Sequence, residues 1–448
     1  MRGAARRRRP AVRRGGLLAV SCTAALSALA SACGSAETAT PGATPDASAG
    51  SGGTGVTGGT GGTGVDASDG SAGSSGSAGT GGTPACDAGL PSPTVVDPAT
   101  TRELTIAGDP AAPLGIFDPS PSYSAGAARG ALAYSAVPAS DSIHTRIAVS
   151  TDRGASWSFV ALANSASDIS VSVGAGSARC PSGTCAGRMI HEVPSLIEDP
   201  SDVDAARRYK LFTHSYVVLP PDVLARDLGY IGLYTAPAPE GPWVFEAKAI
   251  GWRGESELSS QAARFMATDY AQLSDCLALT EPAALPIPGG IIDLALGCAY
   301  QAAGRIAIRI ELVRSLDNAK TFGYAGRLLR ADEANCLGGV APQLNAAHLF
   351  FQKGETFLSV SPAGPVSGIE EGYRGCQILP VLTATAAVKR DAAGQLVVSR
   401  TLDAPTPRFV GACAYAEGAS SAGYLVPQLA VDQPPRVFRI YASGVTAP

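Results

Sequence analysis

The sequence predicts an all-β fold of the β-propeller class, built from four-stranded blades behind a disordered N-terminal stalk. Beyond residue 98, no helical periodicity is sustained over three turns, and short alternating runs such as residues 305–313 recur between Gly and Pro clusters. A short motif that would begin an inner strand also recurs along the chain. Five blades of about 60 to 90 residues would use the folded length, and six blades of about 58 residues are the alternative.

The first 32 residues resemble a bacterial export signal. Seven Arg and no acid lie within residues 1–14, and an apolar stretch rich in Ala, Ser and Leu follows over 17–32. Residues 29–34 are Leu-Ala-Ser-Ala-Cys-Gly, which resembles the lipobox of bacterial lipoproteins and makes Cys33 the expected lipidation site. We therefore expect an exported lipoprotein anchored to a membrane of the bacterial cell envelope, with simple secretion as the alternative.

Residues 33–97 have the composition of a disordered linker. The stretch 41–85 contains 16 Gly in 45 residues, and most of the others are Ser, Thr and Ala. Such a segment has too little apolar surface to offset the entropy that is lost on ordering. The sequence thus predicts a lipid-anchored tether over 33–97 and one propeller domain over 98–448.

Composition and charge exclude several classes of partner. The chain has 448 residues, of which 45% are hydrophobic and 16% are charged. Its net charge of -4 understates its acidity, because seven of the 34 cationic residues lie in the export signal and none of the 38 acids does. The remaining chain has no basic surface for nucleic acid or for an anionic membrane. We expect a monomer whose only membrane contact is the lipid anchor.

Eight cysteines remain beyond the signal and the lipobox. An even number of cysteines in an exported chain favours disulfides, and Cys180–Cys185 and Cys276–Cys298 are the predicted pairs. No Cys-x-x-Cys or Cys/His cluster has zinc spacing, so neither a metal site nor a cofactor is predicted. A calcium ion bound by acids of a central channel is an alternative that residue spacing does not address.

A motif of an apolar residue, an acid and a proline marks the start of the repeats. Its three clear copies are Phe117-Asp118-Pro119, His191-Glu192-Val193-Pro194 and Thr280-Glu281-Pro282, with weaker starts at 341–344 and 411–414. The second repeat closes about ten residues late, and an insert around residues 219–227 accounts for the delay. In a propeller the innermost strand of each blade begins near the central channel, so these acids should converge on one funnel-shaped site.

Asp118, Glu192 and Glu281 are the candidate catalytic residues. Three acids in a small, partly desolvated funnel cannot all stay ionised at ordinary pKa values. Glycosidic cleavage needs an acid with a raised pKa beside a carboxylate with an ordinary pKa. The competing interpretation is structural, because acid-proline pairs also start turns in Pro-rich β proteins.

A second motif, Ser-x-Asp-x-Gly-x-Ser-Trp over residues 150–157, resembles the Asp box of sialidase-like propellers. We expect Ser150 and Asp152 to hydrogen-bond backbone groups of a turn between the third and fourth strands, with Gly154 at positive φ and Trp157 packed beneath the turn. Residues 315–322 form a degenerate copy in which Ala319 replaces the glycine. This motif is expected to be structural and to lie on the rim, away from any active centre.

The first-blade motif, residues 130–135 and the Pro-Glu-Gly-Pro-Trp of 239–243 resemble the opening blades of five-bladed glycoside hydrolases, the group of arabinanases, β-xylosidases and related furanosidases. The resemblance implies that Asp118 is the general base, Glu192 the second-blade acid that tunes its partner, and Glu281 the proton donor. The family normally has Asp in the second blade, and Thr-Glu-Pro is a loose version of its third-blade motif. The implied activity is O-glycosyl hydrolysis, with a carbohydrate as substrate.

Two further functions stay open. One is a propeller without catalytic activity that binds a glycan or a protein at the cell surface. The other is a sialidase-like hydrolase, in which Arg146, Arg188 and Arg305 would have to converge on a substrate carboxylate. For a glycan ligand, the expected binding residues are Arg188 and His191, beside the second acid, together with Gln343 at the fourth repeat start.

Overall fold

The computed structural model describes residues 89–447, apart from 125, 173–178, 221–222, 253–257, 259–261, 367–368, 406–407 and 431–435. The export signal, Cys33, most of the linker and Cys86 lie outside the described residues. The described part of the chain is all-β, as the sequence predicts, and forms five sheets. None of the helices in this part is long and apolar enough to cross a membrane.

The five sheets are numbered in chain order and are built from 26 strands. Sheet I contains β3 (Ile106–Ala107), β4 (Ile116–Tyr123), β5 (Gly130–Ala139), β6 (Ser142–Ser150) and β7 (Trp157–Asn164). Sheet II contains β8 (Ser167–Ser172), β9 (Thr184–Glu198), β10 (Tyr209–Leu219), β11 (Val223–Ala236), β12 (Val244–Gly251) and β13 (Phe265–Met266). Sheet III contains β14 (Cys276–Ile287), β15 (Ile291–Ala302), β16 (Arg305–Ser315) and β17 (Gly323–Leu329).

Sheets IV and V include strands from both ends of the folded domain. Sheet IV contains β1 (Thr94–Val95), β18 (Leu344–Gln352), β19 (Glu355–Val366), β20 (Ile369–Tyr373), β21 (Cys376–Leu382), β22 (Ala387–Val388) and β23 (Arg400–Asp403). Sheet V contains β2 (Arg102–Glu103), β24 (Arg408–Val410), β25 (Leu425–Ala430) and β26 (Phe438–Ala442). Short 3-10 helices lie at Ala205–Arg207, Ala267–Asp269, Ala271–Leu273, Ala331–Leu337 and Glu417–Ala419.

The sheets pack face to face through alternate residues of their middle strands. On β15, Leu294 and Leu296 belong to an apolar cluster shared with sheet II, whereas Ala295 belongs to a cluster shared with sheet IV. Because successive side chains of a strand point to opposite faces, this alternation places one neighbouring sheet on each side of sheet III. The hydrophobic core is therefore a series of layers between sheets.

The inner strands of successive sheets contact each other in chain order. β4 contacts β9, β9 contacts β14, and β14 contacts β18. Sheet V then contacts β19 and β20 through β24, and it contacts β4 through β25 and β26. Sheets that follow one another in this closed order form a propeller, so the predicted fold class is confirmed.

The N-terminal segment joins three sheets in succession. β1 pairs with β23 of sheet IV, β2 with β26 of sheet V, and β3 with β7 of sheet I. Val96 N–H also donates to the carbonyl of Asp403 at 2.7 Å. Residues 94–97, which the sequence assigns to the linker, therefore take part in the folded domain.

Two turns, which we call the outer turns, connect β6 to β7 in sheet I and β16 to β17 in sheet III, at residues 150–157 and 315–322. In the first, Ser150 Oγ donates to Asp152 Oδ1 at 2.8 Å and accepts from Gly154 N–H at 2.8 Å. Ser156 N–H donates to Asp152 Oδ1 at 2.8 Å. Trp157 is buried below this turn, and its ring would lie 3.5 Å from a Cβ atom added to Gly154.

The second outer turn has the same hydrogen bonds although it lacks the glycine. Ser315 Oγ donates to Asp317 Oδ1 at 2.8 Å and accepts from Ala319 N–H at 2.9 Å, and Thr321 N–H donates to Asp317 Oδ1 at 2.8 Å. Ala319 has φ 66°, close to the 84° of Gly154. The alanine thus adopts the left-handed conformation that the sequence pattern associates with glycine.

Disulfides reinforce the domain at several places. The pairs are Cys180–Cys185, Cys276–Cys298 and Cys376–Cys413, and Cys336 is in a further disulfide. The first two are the pairs that the sequence predicts. The third connects β21 of sheet IV to the segment that precedes β25 of sheet V.

Candidate active site

The inner strands share a backbone kink, which we call the central bulge. The pairing register shifts within β4, β9, β14 and β18 where each pairs with its neighbour. A residue with positive φ lies at each shift and at the matching position of sheet V: Asp118 (49°), Val193 (48°), Glu281 (54°), Ala346 (53°) and Ala412 (57°). One kink is thus repeated in all five sheets. The central bulge of sheet IV lies within β18, a few residues beyond the repeat start at 341–344 that the sequence suggests.

Glu192 does not have the same position in the repeat as the other two candidate acids. Asp118 and Glu281 lie at central bulges, whereas Glu192 precedes the bulge residue Val193 by one position. In the first and third motifs the acid directly precedes proline, but Glu-Val-Pro has one residue between them. Proline follows the bulge residue in all three motifs, whereas the acid of the second motif lies one position before the bulge residue. This corrects the equal alignment of the three acids that the sequence suggests.

Asp118 retains some exposure to solvent and is linked to the next sheet. Ser135 Oγ donates to Asp118 Oδ2 at 3.2 Å and accepts from Val193 N–H at 3.1 Å. Burial raises the pKa of Asp118 well above its usual value, and the negative charges of Glu192 and Glu281 raise it further. The three acids therefore lie close enough to act on one another.

Glu281 accepts hydrogen bonds at both carboxyl oxygens. Tyr373 O–H donates to Oε1 at 3.1 Å, and the N–H of Ala346, the bulge residue of sheet IV, donates to Oε2. The residue is only 9% exposed. Burial raises the pKa of Glu281, the two hydrogen bonds and the charge of Arg226 oppose that rise, and the charge of Glu192 adds to it.

Glu192 is 5% exposed and lies beside a cation. Arg226 Nη2 is 3.9 Å from Glu192 Oε1, and the guanidinium lies over the ring of Tyr216, 5.2 Å from the ring centroid. Burial raises the pKa of Glu192, while Arg226 and the Tyr216 hydroxyl oppose the rise. Arg226 thus brings a positive charge to the acidic cluster.

The cluster formed by Asp118, Glu192 and Glu281 is suited to proton transfer. The carboxyls come from three successive sheets, and burial disfavours the ionised form of each. Their partners differ, because Glu192 faces Arg226, Glu281 accepts two donors, and Asp118 accepts from the Ser135 hydroxyl. Carboxyls in unequal environments can hold a proton on one member and a negative charge on another, as general acid and base catalysis requires.

Two of the predicted substrate-binding residues have partners within the protein. Arg188 lies 3.7 Å from Asp141 and 3.5 Å from Asp168, all three being at least partly exposed. His191 is buried, and its Nδ1 lies 2.8 Å from Ser215 Oγ. Because His191 is adjacent in the strand to the second acid, their side chains point to opposite faces of β9.

Gln343 and the arginines of the sialidase alternative are likewise spread over the domain. Gln343 Nε2 donates to the carbonyl of Ile306 at 3.1 Å, between sheets III and IV. Arg146 is buried and pairs with Asp109 at 3.1 Å. Arg305 is exposed at the start of β16. Gln343 and Arg146 thus make contacts within the folded domain, and Arg305 lies at its surface.

Sequence reasoning missed two residues of the site, Arg226 and Tyr373. Both lie outside the repeating segments, the first in the insert of the second repeat and the second at the end of β20. Aligning the repeats cannot find such residues. The available signal for Arg226 was the excess length of the insert that contains it.

Comparison with known proteins gives distant structural likenesses. No protein-family model matches the chain, and no curated protein matches it. Among solved structures it is similar to a Bombyx mori GH32 beta-fructofuranosidase with a TM-score of 0.43 and 14% identity, over 73% of this chain and 60% of that one. It is also similar to the GH43 endo-arabinanase of Bacillus licheniformis, with a TM-score of 0.42 and 14% identity over 74% and 95% of the two chains.

A third likeness is to Zg3597, a family 117 glycoside hydrolase of the marine bacterium Zobellia galactanivorans. Its TM-score is 0.39 and its identity 14%, over 76% of this chain and 89% of that one. The chain thus spans less than two thirds of the Bombyx mori enzyme, and all three structures are those of glycoside hydrolases.

Proposed function

We propose that this chain hydrolyses the glycosidic bond of a carbohydrate at its central bulges. The observation that carries the proposal is the meeting of three carboxyls whose pKa values are raised, those of the buried Glu192 and Glu281 and of the partly exposed Asp118. Two of these acids are at the central bulges themselves, so the repeat of the fold brings them together. A buried group of like charges is unfavourable for stability and is typical of active sites.

In the proposed reaction, the Glu281 carboxyl donates its proton to the glycosidic oxygen as the bond between that oxygen and the anomeric carbon breaks. A water molecule attacks the anomeric carbon and transfers a proton to the Asp118 carboxylate. Glu192, held near Arg226, tunes the pKa of its neighbours. One water is consumed, and the products are a free sugar and an alcohol.

The test is a panel of aryl glycosides, sialosides included, incubated with the full chain and with Glu281→Gln. We expect turnover of at least one glycoside by the native protein and a loss of about 10²- to 10⁴-fold in the variant. Ala412→Gly, which changes a central bulge without an acid, is the matched control and should keep its activity. Activity that survives in Glu281→Gln would remove Glu281 as the proton donor.

A propeller that binds a glycan without cleaving it is the second candidate, favoured by the near-complete burial of Glu192 and Glu281. It predicts that no glycoside of the panel is turned over while a glycan still binds with measurable heat. Calorimetry on the same proteins separates the two functions. A sialidase-like activity would instead appear as turnover of the sialosides alone.

We also propose that the protein is attached to the cell envelope through a lipid on Cys33. The support is the lipobox-like sequence that follows a basic and apolar N-terminal segment. Cells grown with labelled palmitate should yield labelled protein that sediments with membranes, and Cys33→Ala should abolish both results. Membrane attachment that persists in Cys33→Ala would contradict the lipid anchor.

A further inference from the structure

Two hairpin extensions project past the central bulges on the side where the inner strands begin. In sheet II, β9 starts nine residues before its bulge residue Val193, whereas β4 and β18 start two residues before theirs. At about 3.3 Å per residue, the extra length is roughly 20 Å. We call the described residues 167–172, 184–191, 215–219 and 223–229 the first arm.

The first arm is a stable extension because it has an apolar core of its own. Val171, Met189 and Val217 are buried in one cluster with Leu228. The disulfide Cys180–Cys185 lies in the same cluster. An extension stabilised in this way can hold a side chain in a fixed position over the bulges.

The second arm extends sheet IV on the same side. Pro362 pairs with Leu344, the first residue of β18, so β19 continues beyond the inner strand. Its last residues pair with β20, and Ala363 lies opposite Tyr373. We call residues 363–366 and 369–373 the second arm.

Each arm delivers one polar group to the acids. From the first arm, Arg226 comes within 3.9 Å of Glu192. From the second arm, Tyr373 O–H donates to Glu281 at 3.1 Å. The arms therefore lie next to the acidic cluster on two sides of it.

An aromatic arc closes a third side. The ring of Tyr373 is 4.6 Å from that of Phe409, the rings of Phe409 and Phe438 are 6.2 Å apart, and those of Phe438 and Phe117 are 4.9 Å apart. This arc runs across sheets IV, V and I, from the residue that contacts Glu281 to the neighbour of Asp118.

The two arms and the aromatic arc form one apolar cluster. Val218 and Leu224 of the first arm and Tyr373 of the second pack against one buried cluster that includes Phe117 and Phe409. This packing encloses Glu192 and Glu281, while Asp118 keeps some exposure. The acids are therefore approached from the side of Asp118 and are covered elsewhere.

We propose that the site accepts the end of a glycan chain, or a small glycoside, and excludes the interior of a polysaccharide. The proposal rests on the proposed function and specifies its substrate class. A polymer cleaved internally must continue in both directions from the acids, which needs an open groove across the face of the propeller. The two arms and the aromatic arc occupy the positions through which the second direction would run.

The test compares paired probes on the full chain: the aryl arabinofuranoside and xyloside with linear arabinan and xylan. We expect release of single sugars and aryl alcohol, with polymer viscosity unchanged during the first 10% of bond cleavage. A rapid fall in viscosity, with products of intermediate length, would overturn chain-end selectivity and leave the proposed function intact. Absence of turnover on every probe would instead count against the proposed function.

Binding gives a readout that does not need turnover. With Glu281→Gln, arabino- and xylo-oligosaccharides of three and of ten units should bind with equal affinity per molecule, because each has one accepted end. An affinity that rises with length by more than about threefold would overturn the proposal. Failure of both lengths to bind any variant would overturn it together with the proposed function.

Variants of the second arm test whether the aromatic arc causes the chain-end selectivity. Tyr373→Ala opens the aromatic arc and should raise cleavage of the ten-unit chain relative to the aryl glycoside by about threefold or more. Phe351→Ala removes an aromatic residue that is 50% exposed at the opposite end of sheet IV and should leave the ratio unchanged. Tyr373→Phe keeps the ring, so an unchanged ratio there shows that the ring, and not its hydroxyl, provides the cover. Equal ratios in Tyr373→Ala and the native protein would contradict the assignment.

Discussion

The central bulges and the outer turns both recur in the domain, but the bulges repeat a backbone conformation and the outer turns repeat side chains with their hydrogen bonds. The two outer turns share their side chains, with Ser150 and Asp152 in one matched by Ser315 and Asp317 in the other, and they share the hydrogen bonds. The central bulges share only the backbone kink, since Asp, Val, Glu and Ala all occupy it. In the outer turn the side chain makes the structure, whereas in the centre the structure forms without a particular side chain.

This difference bears on the structural interpretation of the acids. If the acid were needed to form the kink, Val193, Ala346 and Ala412 could not adopt the same φ. A left-handed conformation costs a residue other than glycine about 1–2 kcal/mol, so packing imposes it in all five sheets. The kink therefore does not explain why Asp118 and Glu281 are acids, which supports the catalytic role proposed for them.

The comparison predicts that changes in the centre affect activity and spare stability. Asp118→Asn should lower kcat/KM by about 10²- to 10⁴-fold and raise Tm at pH 7. The folded-state pKa of Asp118 is raised, so ionisation costs stability: the cost is absent below the ordinary carboxyl pKa and complete above the raised one. The gain in Tm should thus be present at pH 7 and vanish near pH 3. A lower Tm at pH 7 would make Asp118 a structural residue.

Changes in the outer turns should have the opposite pattern. Gly154→Ala places a side chain at φ 84° with its Cβ 3.1 Å from Cβ of Ala422. We expect a loss of about 1–3 kcal/mol in the free energy of unfolding, measured in urea, with kcat unchanged. Ala319→Gly in the other outer turn is the matched control and should change stability by less than about 1 kcal/mol. A change of kcat in Gly154→Ala would break the distinction between the two regions.

Glu192 should behave differently from Asp118 because it faces a cation. Glu192→Gln removes the carboxylate 3.9 Å from Arg226 and leaves Glu281 as the acid of the cluster that the charge of Arg226 still affects. We expect a loss of about tenfold in kcat/KM. Because the pKa of Glu192 is raised, removing its charge gains stability, but the unpaired Arg226 offsets this gain, so Tm at pH 7 should rise less than in Asp118→Asn. Thermal unfolding of the two variants side by side tests the contrast, and equal gains in Tm would exclude a role for Arg226.

The smallest expected effect is the pH dependence of the first outer turn. Hydrogen bonds from Ser156 and Ser150 lower the pKa of Asp152 to about 2. A depressed folded-state pKa gives stability that is present above the unfolded pKa and is lost as pH falls through the folded one. The difference in Tm between the native protein and Asp152→Asn should be constant between about pH 7 and 5 and shrink below about pH 4. A difference that grows on acidification would contradict these hydrogen bonds.

The features that the sequence predicts correctly are encoded within a few residues. The hydrogen bonds of the first outer turn join residues no more than four positions apart. The disulfide Cys180–Cys185 joins cysteines that are five positions apart in the sequence. Such patterns need no knowledge of how the sheets pack.

The environment of the acids depends on contacts between distant segments. The hydrogen bond from Tyr373 to Glu281 spans 92 residues, and the one from Ala346 spans 65. Arg226 reaches Glu192 only because β10 and β11 fold back along β9. No local pattern records that the arms contact the acids, so the proposed selectivity could be inferred only from the folded domain.

The short strands β1, β2 and β3 have a practical consequence. Each covers the outermost strand of a different sheet, at β23, β26 and β7. A form of the protein trimmed to begin beyond residue 107, as the motif at Asp118 would suggest, would expose three unpaired strand edges at once. Such edges recruit strands from other molecules, so the trimmed form should aggregate while one that begins at residue 89 stays dispersed.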